Sequence, residues 1–411
     1  MKPVGFPQFL RDNAAFLLAG LLLTFTSSFG QTFFISIFAG EIMETFGLSD
    51  GQWGLIYSVG TATSAAVMVW AGVLTDRMRV RRLGVFALGG LALACLAMAA
   101  NSSVVLLPLV VFLLRLSGQG MTGHIATVAM ARWFVATRGR ALSIAGLGMA
   151  LGEASLPALF VWAMGYTDWR LLWVLGAGIV LALLPVMLRL LRRERTPQSL
   201  ATTNESTGIG GTHWTRAQML RHPLFWLVLP AAMGPSAIVT SLFFQHVHLA
   251  AVKGWAHVGL VALFPLYTTI AVLSMLVAGW AVDRAGAARL MPVYQLPMAV
   301  AFLVMAQAES LGGAAVSMVL MGITTGANHA LPAAFWAEFY GTRHLGGIKA
   351  VAAAAMVLGS AIGPAITGTM IDLGHDFPAQ MPAISAYLVL SCILVRVGIG
   401  RTRAQFRPRL R

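Results

Sequence analysis

Twelve long apolar stretches separated by short polar gaps run the length of this chain, near residues 14–40, 52–74, 83–100, 104–131, 140–164 and 170–190, then 223–250, 257–282, 289–308, 311–336, 345–371 and 380–400. Each is of the order of the 20 or so apolar residues that a helix needs to cross the hydrocarbon of a bilayer. The pattern predicts an all-α polytopic membrane protein with 12 transmembrane helices in two six-helix bundles. The first stretch runs well past the 7 to 15 or so residues of a signal-peptide core, so it is read as a retained span.

The basic residues turn this pattern into a topology. Of the 28 Lys and Arg, 25 fall in alternate gaps and in both tails, which marks one side of the membrane. Cytoplasmic loops carry the Lys/Arg excess, so that side is the cytoplasm and both termini lie on it. The expected location is a bacterial inner membrane. Only Arg115, inside the fourth stretch, and Arg170 and Lys253, in opposite gaps, break the rule.

Composition narrows the class. The chain is 58% hydrophobic and 10% charged, against about a quarter charged in a soluble domain. Its net charge of +14 does not point to nucleic acid, because the Arg clusters lie between apolar runs without interleaved aromatics. The two cysteines, Cys95 and Cys392, both sit in apolar stretches and indicate neither a disulfide framework nor a metal site.

The polar gap 191–222 has a linker composition, with Arg-Arg-Glu-Arg-Thr-Pro-Gln-Ser and Asn-Glu-Ser-Thr-Gly-Ile-Gly-Gly. It divides the chain into an N-terminal bundle, 1–190, and a C-terminal bundle, 223–411. The halves repeat at an offset of 207: Gly72, Asp76 and Arg77 match Gly279, Asp283 and Arg284, while Gly152 and Pro157 match Gly359 and Pro364. At an offset of 203, Thr122, Gly123 and Trp133 match Thr325, Gly326 and Trp336. Parallel repeats of this kind are a transporter architecture in which two halves rock about a substrate.

The run Gly72-Val-Leu-Thr-Asp76-Arg77-Met-Arg79-Val-Arg81-Arg82 resembles the signature loop of the major facilitator superfamily, and Gly279-Trp-Ala-Val-Asp283-Arg284-Ala-Gly286 resembles it again. The first copy departs from the pattern in carrying Arg79 where the second glycine belongs. The resemblance implies a conformational latch formed by Gly72, Asp76, Arg77 and Arg140, with Gly279, Asp283 and Arg284 in the second half. Arg132-Trp133-Phe134 with Arg138-Gly139-Arg140-Ala141, and the run from Glu338 to Gly347, are similar to the monocarboxylate and oxalate/formate branches.

Ionisable groups inside spans are costly, about 2.5–3.5 kcal/mol each on insertion scales, and mark function by default. Arg115 lies about 15 Å deep at 1.5 Å per residue, and Glu153 on the next span lies at nearly the same depth. Their repeat counterparts are Met318 and Ser360, so the pair is not part of the symmetric scaffold. Arg115 is read as the anchor for an anionic group and Glu153 as its resting partner and proton-coupling residue, against the alternative of a permanent structural ion pair. Arg115-x-x-Gly118-Gln119-Gly120 also resembles, in permuted form, a fourth-helix motif credited with proton coupling.

His124 and His329 are further proton-relay candidates. Gln119, Gln31, Phe34, Phe244, Gln245, Tyr267 and Asn328 are candidate substrate neighbours, with helix packing the competing reading for each. His246 and His248 are two residues apart and do not share a helix face, which argues against zinc.

There is no Walker loop and no catalytic constellation, so the chain is read as a non-enzyme without cofactor or metal, driven by an ion gradient or by the substrate's own. The leading expectation is a proton-coupled transporter of a small organic anion of the monocarboxylate class, for which a monomer suffices. The alternatives are an exporter of hydrophobic or cationic compounds on the same fold, and a membrane-embedded sensor or enzyme. Asp76→Asn is expected to change the transport rate while leaving membrane insertion intact; unchanged transport would remove the latch reading.

Overall fold

The computed structural model describes residues 6–71, 74–134, 138–192, 207–341 and 344–405, and all the regular structure among them is helical. The main helices are α1 (Phe6–Ser27), α2 (Asp50–Ala71), α3 (Val80–Ala100), α4 (Leu107–Leu114, continuing to Trp133), α5 (Arg138–Met164) and α6 (Trp169–Leu190). The second half supplies α7 (Pro223–Phe244), α8 (Phe264–Ala285), α9 (Leu296–Gln307), α10 (Leu311–Tyr340), α11 (Leu345–Asp372) and α12 (Phe377–Gln405). Ten segments of the described residues are long and apolar enough to cross a membrane; α2 and the shorter apolar α9 occupy the other two predicted spans.

The chain forms two compact units. One comprises residues 1–48 and 55–202; the other comprises 203–411 together with Ser49–Gly54. Each follows the same packing plan. In the first, α1 lies against α5 and α3 against α6; in the second, α7 lies against α11 and α9 against α12.

Small residues set these contacts. A Cβ added at Gly152 would lie 2.8 Å from the Ser28 Cβ, and one at Gly359 would lie 2.9 Å from the Met233 carbonyl oxygen. The Gly148-x-x-x-Gly152 and Gly359-x-x-x-Gly363 faces are therefore packing faces, through which helix backbones approach closely.

Two predicted spans depart from α-helical geometry near their middle. The first breaks after Ser27 into a tight turn, Ser28–Gly30, and an extended Gln31 (φ −86°, ψ 155°), before short helices resume from Thr32. The fourth widens to π geometry over Arg115–Thr122. Apolar patterning does not register either feature, because both segments remain buried at helical spacing.

The repeated loop motif also diverges locally. Gly286 has φ +80°, a conformation that favours glycine, and the Glu338 carboxylate accepts from the backbone N–H groups of Ala287 and Ala288 at 2.8 and 3.3 Å. Arg79, at the matching position, has φ −66° and ψ 140°, which any residue adopts, so its departure from the pattern carries no backbone strain. Among the described residues no atom lies within 4 Å of a Cβ added at Gly279, so close packing with them does not require glycine there.

Part of the expected linker is folded. Trp214 N–H donates to the Tyr340 carbonyl at 3.0 Å, and Thr215 and Gln218 form a capping box on the helix Arg216–Arg221. Trp214 and Met219 supply apolar groups amid the polar run; Met219 is buried in the core of the second unit and Trp214 packs beside it.

The two cations in the opposite gaps, Arg170 and Lys253, have structural work. The Arg170 guanidinium donates to the carbonyls of Ala99 and Asn101 at 2.9 and 2.5 Å, at the end of α3. Lys253 Nζ donates to the Ala306 carbonyl at 2.7 Å, at the end of α9. Cations complement the negative end of a helix dipole.

Gly363→Val drives a side chain into the Ala237 and Ser241 contacts of α7. A loss of about 1–3 kcal/mol, typical of overpacking, is expected in thermal unfolding of the detergent-solubilised protein, whereas Gly279→Ala should leave the transition unmoved.

Candidate functional site

The break in the first span creates a polar problem that Arg115 answers. Helix interruption exposes backbone carbonyls, and in a bilayer each must find a partner within the protein. Arg115 Nη1 donates to the Gly30 carbonyl at 3.1 Å and to Thr32 Oγ1 at 3.4 Å. Its guanidinium lies 5.5 Å from the centroid of the Tyr57 ring, within cation–π range, and the Tyr57 hydroxyl is 2.5 Å from Thr32 Oγ1. Arg115 is 1% exposed.

The backbones meet directly beneath this contact. A Cβ at Gly30 would lie 2.7 Å from the Gly118 Cα, and one at Gly118 would lie 2.6 Å from the Gly30 Cα. The π-helical stretch of α4 thus sits against the unwound stretch of the first span. Arg115 is the first residue of that stretch, and Gln119, half-buried, lies within it. π-Helical turns are rare and concentrate at functional sites.

Gln31 lies on the other side of the break. Its amide Nε2 is 3.8 Å from the Met149 Sδ, and Met149 and Glu153 are four residues apart on one face of α5. The half-buried Glu153 therefore shares the face that meets Gln31. The interrupted segment has Arg115 against Gly30 and the Met149–Glu153 face against Gln31.

Other candidates fall elsewhere in the first unit. Phe34 is fully buried, with ring centroids 4.9 Å from Phe29 and Phe160 and 5.3 Å from Trp173. It fills an aromatic core behind the break. His124 is half-buried on α4, just past the π-helical stretch.

In the second unit, Tyr267 donates to Thr325 Oγ1 at 3.2 Å, and Asn328, one turn further along α10, accepts from the Tyr294 hydroxyl at 3.2 Å. Tyr294 belongs to a buried network: Gln295 Nε2 donates to the Tyr294 oxygen at 2.9 Å, and Ser391 donates to Gln295 Oε1 at 2.5 Å. Tyr294, Gln295 and Ser391 were not singled out from the sequence; a Tyr-Gln pair inside an apolar stretch is the signal that could have found them. Gln245 is buried and its Nε2 donates to Thr367 Oγ1 at 3.3 Å, Phe244 stacks on Trp53, and His329 is exposed.

His246 and His248 play separate parts, as their spacing predicted. His246 Nε2 is 2.8 Å from His257 Nε2, while His248 faces Asp50 and Asp376. No group of three or more metal-ligating side chains occurs among the described residues. Of the latch candidates, Gly72 lies outside the described residues, and only the backbone is described for Asp76, Arg77, Arg140 and Asp283. Arg284 is exposed, with its guanidinium 5.5 Å from the Trp280 ring centroid.

The sequence model of the Major Facilitator Superfamily matches residues 20–311 and 257–405. The chain belongs to the major facilitator superfamily. It is 25% identical over 392 residues to monocarboxylate transporter 13 of Bos taurus and 24% identical over 389 residues to that of Rattus norvegicus, in each case across 92% of this chain and 85% of the relative. Its fold is similar to that of a bacterial homologue of the human lysosomal transporter Spinster (TM-score 0.66, 17% identity, 97% of this chain and 99% of that one). It is also similar to the nucleoside transporter NupG (TM-score 0.68, 13% identity, 95% and 100%). This superfamily chain is a multi-pass membrane transporter.

Arg115→Met removes the donor to the Gly30 carbonyl and leaves a buried acceptor without that partner, a loss of about 1–3 kcal/mol. Thermal unfolding should show it, with a smaller loss for Arg115→Lys.

Proposed function

We propose that this transporter moves a small organic anion of the monocarboxylate class across a bacterial inner membrane, together with a proton, by alternating access. Both termini lie in the cytoplasm in this reading, and a monomer suffices. The observation that carries it is the fully buried Arg115, a cation at mid-span whose described hydrogen-bond partners are neutral oxygens and whose Nε has no hydrogen-bond partner among the described residues. A substrate carboxylate is the complementary group for such a guanidinium. The name of the mammalian relatives, monocarboxylate transporter, supports the same substrate class.

Substrate binding at Arg115 draws on a guanidinium that otherwise serves the Gly30 carbonyl, so occupancy and the shape of the helix break are coupled. Glu153, on the face that meets Gln31, is the proposed proton carrier: neutralising it removes a charge that must otherwise cross low-dielectric surroundings. Gln31 and Gln119 offer amide groups on the two sides of Gly30. Asp76, Arg77, Arg140, Asp283 and Arg284 are proposed as the latch at the cytoplasmic ends.

Reconstituted protein should take up small monocarboxylates in a saturable manner driven by a proton gradient. Arg115→Lys is expected to lower that uptake at least about tenfold, equivalent to about 1.4 kcal/mol, and Glu153→Gln to flatten its pH dependence. Wild-type uptake and pH profile in both variants would overturn the reading. Heat stabilisation of the purified protein by lipophilic cations instead of carboxylates would point to an exporter.

A further inference from the structure

Thr32 and Tyr57 stand beside Arg115 within the first unit, and both are buried. Thr32 is the first residue past the break in the first span. Close packing brings Tyr57 to it. A Cβ at Gly60 on α2 would lie 2.8 Å from the Pro108 carbonyl oxygen and 2.8 Å from Val111 Cγ1, and residues three apart share a helix face. The Tyr57 face of α2 therefore meets α4, the helix that carries Arg115.

Two donors converge on one oxygen here. A guanidinium has donors and no acceptor, so Thr32 Oγ1 accepts from Arg115 Nη1 at 3.4 Å. The Tyr57 phenol, the better donor of the two hydroxyls, donates to the same Oγ1 at 2.5 Å. Thr32 Oγ1 thus has two donors where a buried oxygen needs one. Arg115 Nη1 lies nearer to the Gly30 carbonyl, at 3.1 Å. Thr32 is the longer contact and the first that an incoming anion displaces.

We propose, resting on Arg115 as the anchor of the anion, that Tyr57 is a positioning residue for substrate binding. Its hydroxyl stays with Thr32 Oγ1, so the guanidinium can leave Thr32 for a carboxylate without orphaning a buried oxygen. Leaving a buried acceptor without a partner costs more than the hydrogen bond itself contributes. Without the phenol hydroxyl, Thr32 would hold the guanidinium, and an anion would have to break that contact at that cost. The Tyr57 ring, with its centroid 5.5 Å from the guanidinium carbon, attracts the cation without occupying any of its N–H groups.

Uptake of labelled acetate, lactate and pyruvate into proteoliposomes, with thermal unfolding of the same preparations, tests this role. Tyr57→Phe keeps the ring and removes the hydroxyl. It should raise KM about three- to tenfold, the range of one neutral hydrogen bond, with the maximal rate unchanged. Adding Thr32→Val removes the competing oxygen and should return KM to the wild-type value. Packing alone predicts the opposite, a double variant at least as impaired as either single one. Thr32→Val by itself should leave KM at or below the wild-type value, which keeps the test decisive if Tyr57→Phe unfolds.

An unchanged KM in folded Tyr57→Phe, no recovery in the double variant, or a raised KM in Thr32→Val would overturn the role of Tyr57 and leave Arg115 as the anchor. Wild-type protein that takes up none of the three acids would instead overturn the anchor, and the role of Tyr57 with it.

Discussion

The first bundle depends on one constraint: the first span is broken at mid-depth in a medium that supplies no hydrogen bonds. The break is sustained because Gly30 and Gly118 let two backbones touch, which brings Arg115 within reach of the Gly30 carbonyl. Without both glycines the guanidinium would be too far away, and without the guanidinium the carbonyl would lose its donor. A residue that is expensive to insert and a backbone that is expensive to leave open thus stabilise each other.

That arrangement joins structure to function at one group. Only Nη1 of the Arg115 guanidinium is engaged by the Gly30 and Thr32 oxygens, so under the proposed reading an anion shares the group with the bonds that hold the interrupted segment. Discontinuous helices recur at transporter binding sites for this reason: unwound backbone offers polar groups where a continuous helix offers none. The aromatic core of Phe29, Phe34, Phe160 and Trp173 backs the segment with rigid surface, so movement there is channelled into the polar side.

The three exceptions to the charge rule have one explanation in kind. Arg170 and Lys253 donate to carbonyls at the ends of α3 and α9, and Arg115 donates to a carbonyl at the break in the first span. Each cation on the unexpected side or depth serves an otherwise unpaired backbone oxygen. Arg170 and Lys253 satisfy ordinary helix ends in matching places of the two halves, whereas Arg115 has no counterpart in the repeat.

The sequence by itself determined the number and placement of the spans and the two-fold repeat, because these follow from hydropathy and spacing, both of which are local; the Lys/Arg bias is the basis of the proposed sidedness. It also singled out Arg115 and Glu153, since a charge in an apolar run is visible without coordinates. Only the tertiary structure decided that the first span is broken at Gly30, that α4 widens at Arg115, that Arg79 needs no glycine geometry, and that Phe34 lies among packed rings while Asn328 joins a hydrogen-bonded network through Tyr294. Those outcomes rest on which backbones approach across helices and on where each freed carbonyl finds a donor, and these are relations between residues distant in sequence.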